Sequence, residues 1–356
     1  MGNRIKPQVH PIVMTDGNGR NRVLNSLSDG CSDRAPVAVF TQSSTLSQMD
    51  ATGASWPDAH HDPGMMAVLG SAQADILGFD SVRVPFCVTV EAEALGCAVD
   101  LGTRTSPPRV LPGPFTMDPF GDGSSDPSDI PSPAEFLSSP RVGVVSDAVS
   151  SLSHSHGDRL PVIAGITCPL TILSQMVGAE NMVLNTITCP DIVDRWYGEI
   201  TERLMAYMHL LEDSGADVLL MGEASASPDL IDPGMFRTLA EPHLRGLSSE
   251  GDTYKVLHIC GHVEPILGRM SGLRYDGLSL EGAVDPYMAR DIVGDRTHLV
   301  GNVGPVDPLL TGTPDDIRRA CDDAEEAGFD IISPGCGIPI QTPDGNLLAM
   351  TARNRG

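Results

Sequence analysis

Lysine is almost missing from this chain. Among 356 residues it occurs only at positions 6 and 255, and arginine supplies the other basic side chains. Acids outnumber bases 47 to 23, for a net charge of −24. A surface of that sign repels nucleic acid and anionic membranes, so neither is an expected partner. Two readings of the charge stand: adaptation to a salty cytoplasm, where screening removes the self-repulsion, or simply an acidic soluble protein. The first is favoured.

Long hydrophobic runs are absent too. No stretch of 18 or more apolar residues offers a membrane span, and the opening MGNRIKPQVHPIVMTDGNGR has no apolar core of the kind a secretory signal needs. The expectation is a soluble, cytoplasmic protein. Aromatics are scarce, at 4%, but the hydrophobic fraction of 41% still suffices for a sizeable core. There is no GxxxxGK phosphate loop, no GxGxxG fingerprint and no GxSxG elbow. Cysteine is present at 31, 87, 97, 168, 189, 260, 321 and 336, without a tight repeating spacing, so a disulfide framework is not expected. Cys321, inside the helical-looking PDDIRRACDDAEEAG, reads as structural.

What the chain does have is a regular alternation. Short β-rich runs fall at 36–41, 80–86, 161–167, 217–222, 254–260, 276–281, 297–302 and 330–335. Several are apolar throughout, as parallel strands covered on both faces are. Helical patterns lie between them. Residues 191–214 carry Ile192, Trp196, Ile200, Leu204, Met208 and Leu211 at helical spacing and stop at Gly215. Residues 314–327 open with Pro and acids, an N-terminal signature. Eight such units predict an α/β (β/α)8 TIM barrel over residues 36–356, with a doubly wound open sheet as the runner-up. Residues 1–35 read as an N-terminal extension, and the Pro-, Ser-, Gly- and Asp-rich stretch 103–140 as an insertion after the second strand. Its Asp118, Asp122, Asp126 and Asp129 do not match a calcium-loop spacing.

A TIM barrel carries its site at the C-terminal ends of its strands. Those ends here are Thr167 and Cys168, Glu223, His258 with Cys260, Glu281, Asn302, and Cys336 just past the last strand. In YKVLHICG, residues two apart share a face, so Val256, His258 and Cys260 point one way. One imidazole and two thiolates suit zinc, and three protein ligands leave a position open for chemistry. His258, Cys260 and Cys336 are therefore the candidate metal ligands. The plainer reading is a satisfied core histidine beside unrelated buried cysteines. Glu223 and Glu281 are candidates to polarise a bound group or to fill the vacant metal position, with structural hydrogen bonding as the alternative for each. His262 is a minor alternative ligand. His60 and His61 read as surface or capping residues. Of Glu91 and Glu93, one is expected to cap a helix and the other to point into the site.

HICG (258–261) with ISPGCGIPIQTP (332–343) resembles the zinc motif of the methylcobamide:coenzyme M methyltransferases of the uroporphyrinogen decarboxylase-like superfamily. ATGASWPDAHHDP (51–63), VRVPFCVTVEAEALGC (82–97) and ITCPLTILSQMVGAE (166–180) resemble the same family. The arginine-rich N-terminal motif of the decarboxylases proper is not found, which argues against porphyrinogen chemistry. The resemblance implies a (β/α)8 barrel, Zn2+ on His258, Cys260 and Cys336, and transfer of a methyl group from a methylated corrinoid protein to the thiol of coenzyme M in methylotrophic methanogenesis. It implies that zinc activates the thiol, which attacks the methyl group on Co(III) as Co(I) leaves. Two alternatives remain: a related corrinoid-dependent enzyme with another thiol or folate as acceptor, and a non-catalytic barrel that only binds a corrinoid protein.

Overall fold

The computed structural model describes residues 18–28, 30, 32–42, 44–118 and 123–355. The first half of the expected N-terminal extension, together with Cys31 and Asp122, lies outside the described residues.

The molecule is built on a curled, wholly parallel seven-stranded sheet whose spatial order follows the sequence. Its strands are β1 (Val82–Val84), β2 (Val162–Thr167), β3 (Val218–Gly222), β4 (Tyr254–His258), β5 (Gly277–Ser279), β6 (His298–Val303) and β7 (Ile331–Pro334). A doubly wound sheet reverses its strand order at a switch point, and this one never does, so the runner-up topology is excluded. The fold is TIM-barrel-like.

The first expected strand, 36–41, is not a ladder strand. It contributes one bridge, Val37 to Ile332, with the Ala38 amide donating to the Ile332 carbonyl at 3.0 Å. On its other side side chains take over the role of a partner strand. The Asp80 carboxylate accepts from the Val37 amide at 3.1 Å, and the Ser81 hydroxyl accepts from the Val39 amide at 2.9 Å. The segment thus connects β7 to the residues that lead into β1.

Inner and outer faces follow the two-residue period of the strands. Ala38, Phe40, Ile163, Val218, Leu220, Val256, Val300 and Ile331 form one buried cluster inside the curl. Val82, Val84, Ala164, Leu219, Met221 and Leu257 point the other way, into the core shared with the helices. Val23, from the helix Gly19–Ser26, and its C-cap residue Leu27 belong to the inner cluster, so this helix plugs the N-terminal end of the sheet.

The outer helices repeatedly start with proline in the first turn, as at Pro63, Pro140, Pro169, Pro190 and Pro314, where the missing N–H costs nothing. Helix Pro190–Asp213 buries Trp196, Ile200, Leu204, Met208 and Leu211, the stripe read from the sequence. Helix Pro314–Glu326 buries Cys321. Residues 103–140 hold the second strand of a small ribbon, Val99–Asp100 with Arg109–Val110, then short helical turns Pro127–Asp129 and Pro133–Leu137. No helix among the described residues is long and apolar enough to cross a membrane.

Candidate metal centre

His258 ends β4, and Cys260 follows it on the same inner face as Val256. Cys336 arrives from the far edge of the sheet, in the turn after β7. That turn is pinned twice. The Gly335 amide donates to the Val303 carbonyl at 2.7 Å, and the Thr41 hydroxyl donates to the Cys336 carbonyl at 2.7 Å. Gly335 has to be glycine, because a Cβ there would sit 2.8 Å from the Gly282 nitrogen and 3.0 Å from the Glu281 Cα.

The result is one cluster. His258 Nε2 lies 3.2 Å from Cys260 Sγ, and Cys260 Sγ lies 3.7 Å from Cys336 Sγ. All three donor atoms fall within 4.8 Å of one another. A tetrahedral ion bonded to sulfur at about 2.3 Å would set two sulfur ligands about 3.7 Å apart, so the pair already has the spacing zinc requires. The imidazole is oriented for the same purpose. Its Nδ1 is 3.1 Å from the Ser279 carbonyl oxygen, which can only accept, so Nδ1 carries the proton and Nε2 presents its lone pair to the cluster.

The three groups also shift one another's protons. The hydrogen bond from Cys260, and those from His258, hold the Cys336 thiol well below the ordinary thiol range, against the opposing effect of burial. Cys260 moves the other way, raised by its hydrogen bond to Cys336 and by burial. Burial pulls His258 down, but the hydrogen bond to Cys336 and that sulfur's charge outweigh it, and its pKa lies above the usual imidazole value.

The two glutamates read as candidates part company here. Glu281 stands beside the cluster. Its Oε2 accepts from the Gly261 amide at 2.7 Å, which fixes the turn leaving Cys260. Glu223 does not join the donor group. It is fully buried, and both of its oxygens are occupied. Oε1 accepts from the Thr171 amide and hydroxyl, and Oε2 from the Leu170 amide and the Tyr197 hydroxyl. Burial raises its pKa in spite of those bonds. These donors belong to the first turn of helix Pro169–Val177, whose own N-cap residue, Cys168, makes no capping bond. Glu223 is that helix's cap, supplied from the next strand.

The other candidates fall outside the cluster. His262 is exposed and sits against Asp229. Asn302 donates to the Val284 carbonyl at 2.8 Å. Glu91 accepts from the Thr167 amide at 2.8 Å, and burial pushes its carboxyl up to about 7. Glu93 pairs with Arg141 at 2.6 Å. His60 corrects an expectation. It is not a surface residue but fully buried, packed between Trp56 and Phe86, and burial lowers its pKa to about 3. The polar HHD context concealed a histidine that the turn Asp58–His60 tucks inward.

Sequence reading missed Arg83. It lies on β1 between two outward-facing valines, so its side chain enters the curl, where it is 2% exposed. It lines the same cleft as His258, together with Gln42, Cys87, Gly165, Thr167 and Gly222; the cleft holds about 310 Å3, counting the part open to solvent. An arginine inside the apolar run DSVRVPF was the available signal.

Comparison with known proteins follows the same lines. Residues 18–355 match the uroporphyrinogen decarboxylase (URO-D) family. The methylcobamide:CoM methyltransferase MtaA of Methanosarcina barkeri is 34% identical over 340 residues, covering 95% of this chain and 98% of its own. The methylcobamide:CoM methyltransferase MtbA of Methanosarcina acetivorans is 32% identical, covering 95% and 97%. Among solved structures, a methyltransferase from Methanosarcina mazei superposes with a TM-score of 0.88 at 33% identity, covering 96% of this chain and 99% of that one.

Proposed function

The chain belongs to the uroporphyrinogen decarboxylase family, and from that premise we propose that it is a methyltransferase that moves the methyl group of a methylated corrinoid to the thiol of coenzyme M. The observation that carries the reading is the His258, Cys260 and Cys336 cluster, with donor spacing that fits zinc, in a chain that matches such methyltransferases over 95% of its length. Zinc bound there would supply a Lewis acid that lowers the pKa of the incoming thiol and holds it as the nucleophile.

The chain's own residues do the rest. Ser279 keeps the His258 proton on Nδ1. Glu281, through the Gly261 amide, holds Cys260 in place and adds negative charge beside the site. Three protein donors leave room for one exogenous sulfur. With zinc bound, Cys260 and Cys336 would both be thiolates, which would temper the metal's charge and leave the acceptor sulfur nucleophilic. Glu223 keeps helix Pro169–Val177 docked against the ends of β2 and β3. The cluster opens at the strand ends, so the methylated cobalt approaches from that side, and a corrinoid protein is proposed to dock over those loops.

The test is the absorbance change of methylcob(III)alamin on mixing with the protein and coenzyme M, before and after zinc is stripped. Demethylation that needs both zinc and coenzyme M is the expected result. Turnover only with a folate, or with thiols other than coenzyme M, would overturn the choice of acceptor. Zinc that binds tightly and is closed to every thiol would overturn the enzyme reading.

A further inference from the structure

The cleft lined by His258 also holds Arg83, which has no ion-pair partner among the described residues. Its Nε donates to the Phe40 carbonyl at 3.1 Å and its Nη1 to the Pro85 carbonyl. Both partners are neutral, and among the described residues no carboxylate lies within ion-pair distance of it. The remaining nitrogen, Nη2, faces Gly165, where a Cβ would come within 2.2 Å of it. Burial lowers the pKa only to about 10, so the group is a cation at neutral pH. A charge taken out of water is costly unless something pairs with it. Cys87 and Glu91 act on this charge only through space, and the Glu91 carboxyl, pushed up to about 7 by burial, accepts from the Thr167 amide.

The strand register relates this charge to the cluster. Gly165 aligns with Leu220, and Leu220 with Val256; two residues on, Thr167 aligns with Gly222, and Gly222 with His258. Two residues of strand span about 7 Å. Arg83 and His258 line one cleft, together with Gly165 and Thr167. A short ligand with a sulfur at one end and an anion at the other would bridge the two groups. Coenzyme M is a thiol joined by two carbons to a sulfonate.

We infer that Arg83 is the specificity residue for the acceptor, holding the sulfonate of coenzyme M while its thiol meets His258, Cys260 and Cys336. The inference rests on the function proposed above. The planar fork of arginine offers paired donors to two sulfonate oxygens, and Gly165 leaves that fork the space to turn toward the ligand. The two carbonyl bonds fix the guanidinium before the substrate arrives.

Two thiols and one thiol-free probe test it. In the wild type, kcat/KM for coenzyme M should greatly exceed that for 2-mercaptoethanol, which has the thiol and no sulfonate. In Arg83→Met the ratio of the two should fall by about 10- to 100-fold, the scale of a charged hydrogen bond. Arg83→Lys should lie between. Calorimetric titration with ethanesulfonate, which cannot bind through sulfur as a thiol does, should show binding to wild-type protein and none to Arg83→Met, whether or not zinc is present. Because a buried arginine can be needed for folding, Gly165→Ala is the second variant. It keeps the charge but displaces Nη2, and it should lower the same ratio. An unchanged ratio in any folded variant, Arg83→Met or Gly165→Ala, overturns the inference. So does a wild type that methylates both thiols equally well. Ethanesulfonate binding that depends on Arg83, in a protein that methylates no thiol, would overturn the proposed function and leave the anion site standing.

Discussion

The two ends of the sheet treat charge in opposite ways. At the N-terminal end the charges form ion pairs. Arg34 meets Asp80 at 3.0 Å, Arg22 reaches the same carboxylate at 3.7 Å, and Arg20 pairs with Asp217 at 2.5 Å under the helix that plugs the curl. At the C-terminal end, two sulfurs and an imidazole crowd together and a buried arginine has only carbonyls for company. A satisfied network stabilises; an unsatisfied one waits for a ligand. Barrels of this kind divide their faces in the same way, stability below and chemistry above.

Breaking the upper end should cost function and little stability. Cys260→Ser and Cys336→Ser should each reduce bound zinc from near one per chain to near none, and methyl transfer to background, while circular dichroism and melting of the apoprotein stay close to wild type. Full zinc retention in either variant would remove that cysteine from the ligand set. Breaking the lower end should do the reverse. Asp80→Ala leaves Arg34 and the Val37 amide without their acceptor and loosens the segment that joins β7 to β1. Removing one partner of a buried pair costs about 3–5 kcal/mol. The loss should appear in the urea midpoint, with zinc content and the thiol preference unchanged. A functional defect larger than the stability defect would mean that the ends are coupled.

Not every buried acid at the upper end serves the cluster, and pH exposes one that does not. Glu91 is held neutral by burial, with its folded pKa at about 7 against an ordinary value of 4.5. Between those values the folded state binds more protons than the unfolded one. The protein should therefore lose stability as pH rises through that window, on the order of 3 kcal/mol in full. Glu91→Gln should flatten this slope between about pH 5 and about pH 8. An unaltered slope in the variant would place the titrating group elsewhere. Glu223→Gln is the smaller case. A Gln amide turned toward the Leu170 amide or the Tyr197 hydroxyl loses an acceptor, at about 1–3 kcal/mol, with zinc retained.

These residues also mark how far the sequence can be read. His258 and Cys260 were legible because the strand's two-residue period is local, and Cys336 because the barrel pattern carries the last strand to the same mouth. By the same rule Glu223 was left open between a site role and structural hydrogen bonding. A strand-end acid can face the mouth, while the helix that needed this one begins after the neighbouring strand, at a cap position that Cys168 leaves unfilled. Arg83 was passed over although DSVRVPF carried a local signal. Its position depends on a glycine in β2, and pairing between strands distant in sequence leaves no local pattern. The run 36–41 was found in the right place but forms one bridge and not a ladder, and nothing in its own residues shows that Asp80 and Ser81 take over on its other side.

Salt gives the smallest effect and separates surface from interior most cleanly. The net charge of −24 repels itself, and added salt screens that repulsion. The same salt weakens exposed pairs such as Arg109 with Asp100 and Arg195 with Asp126, but each of these is worth little to begin with. Screening of the net charge should win, and melting temperature should rise by a few degrees between about 0.1 and about 2 M KCl, roughly 1–2 kcal/mol of stability. The deficit of Asp80→Ala, measured at both ends of that range, should not change, because mobile ions do not reach a carboxylate buried beneath Arg22 and Arg34. A melting temperature indifferent to salt would count against adaptation to a salty cytoplasm. A deficit that shrinks with salt would show that the lower network is wetter than its burial implies, and the contrast between the two ends would narrow to the metal cluster and Arg83.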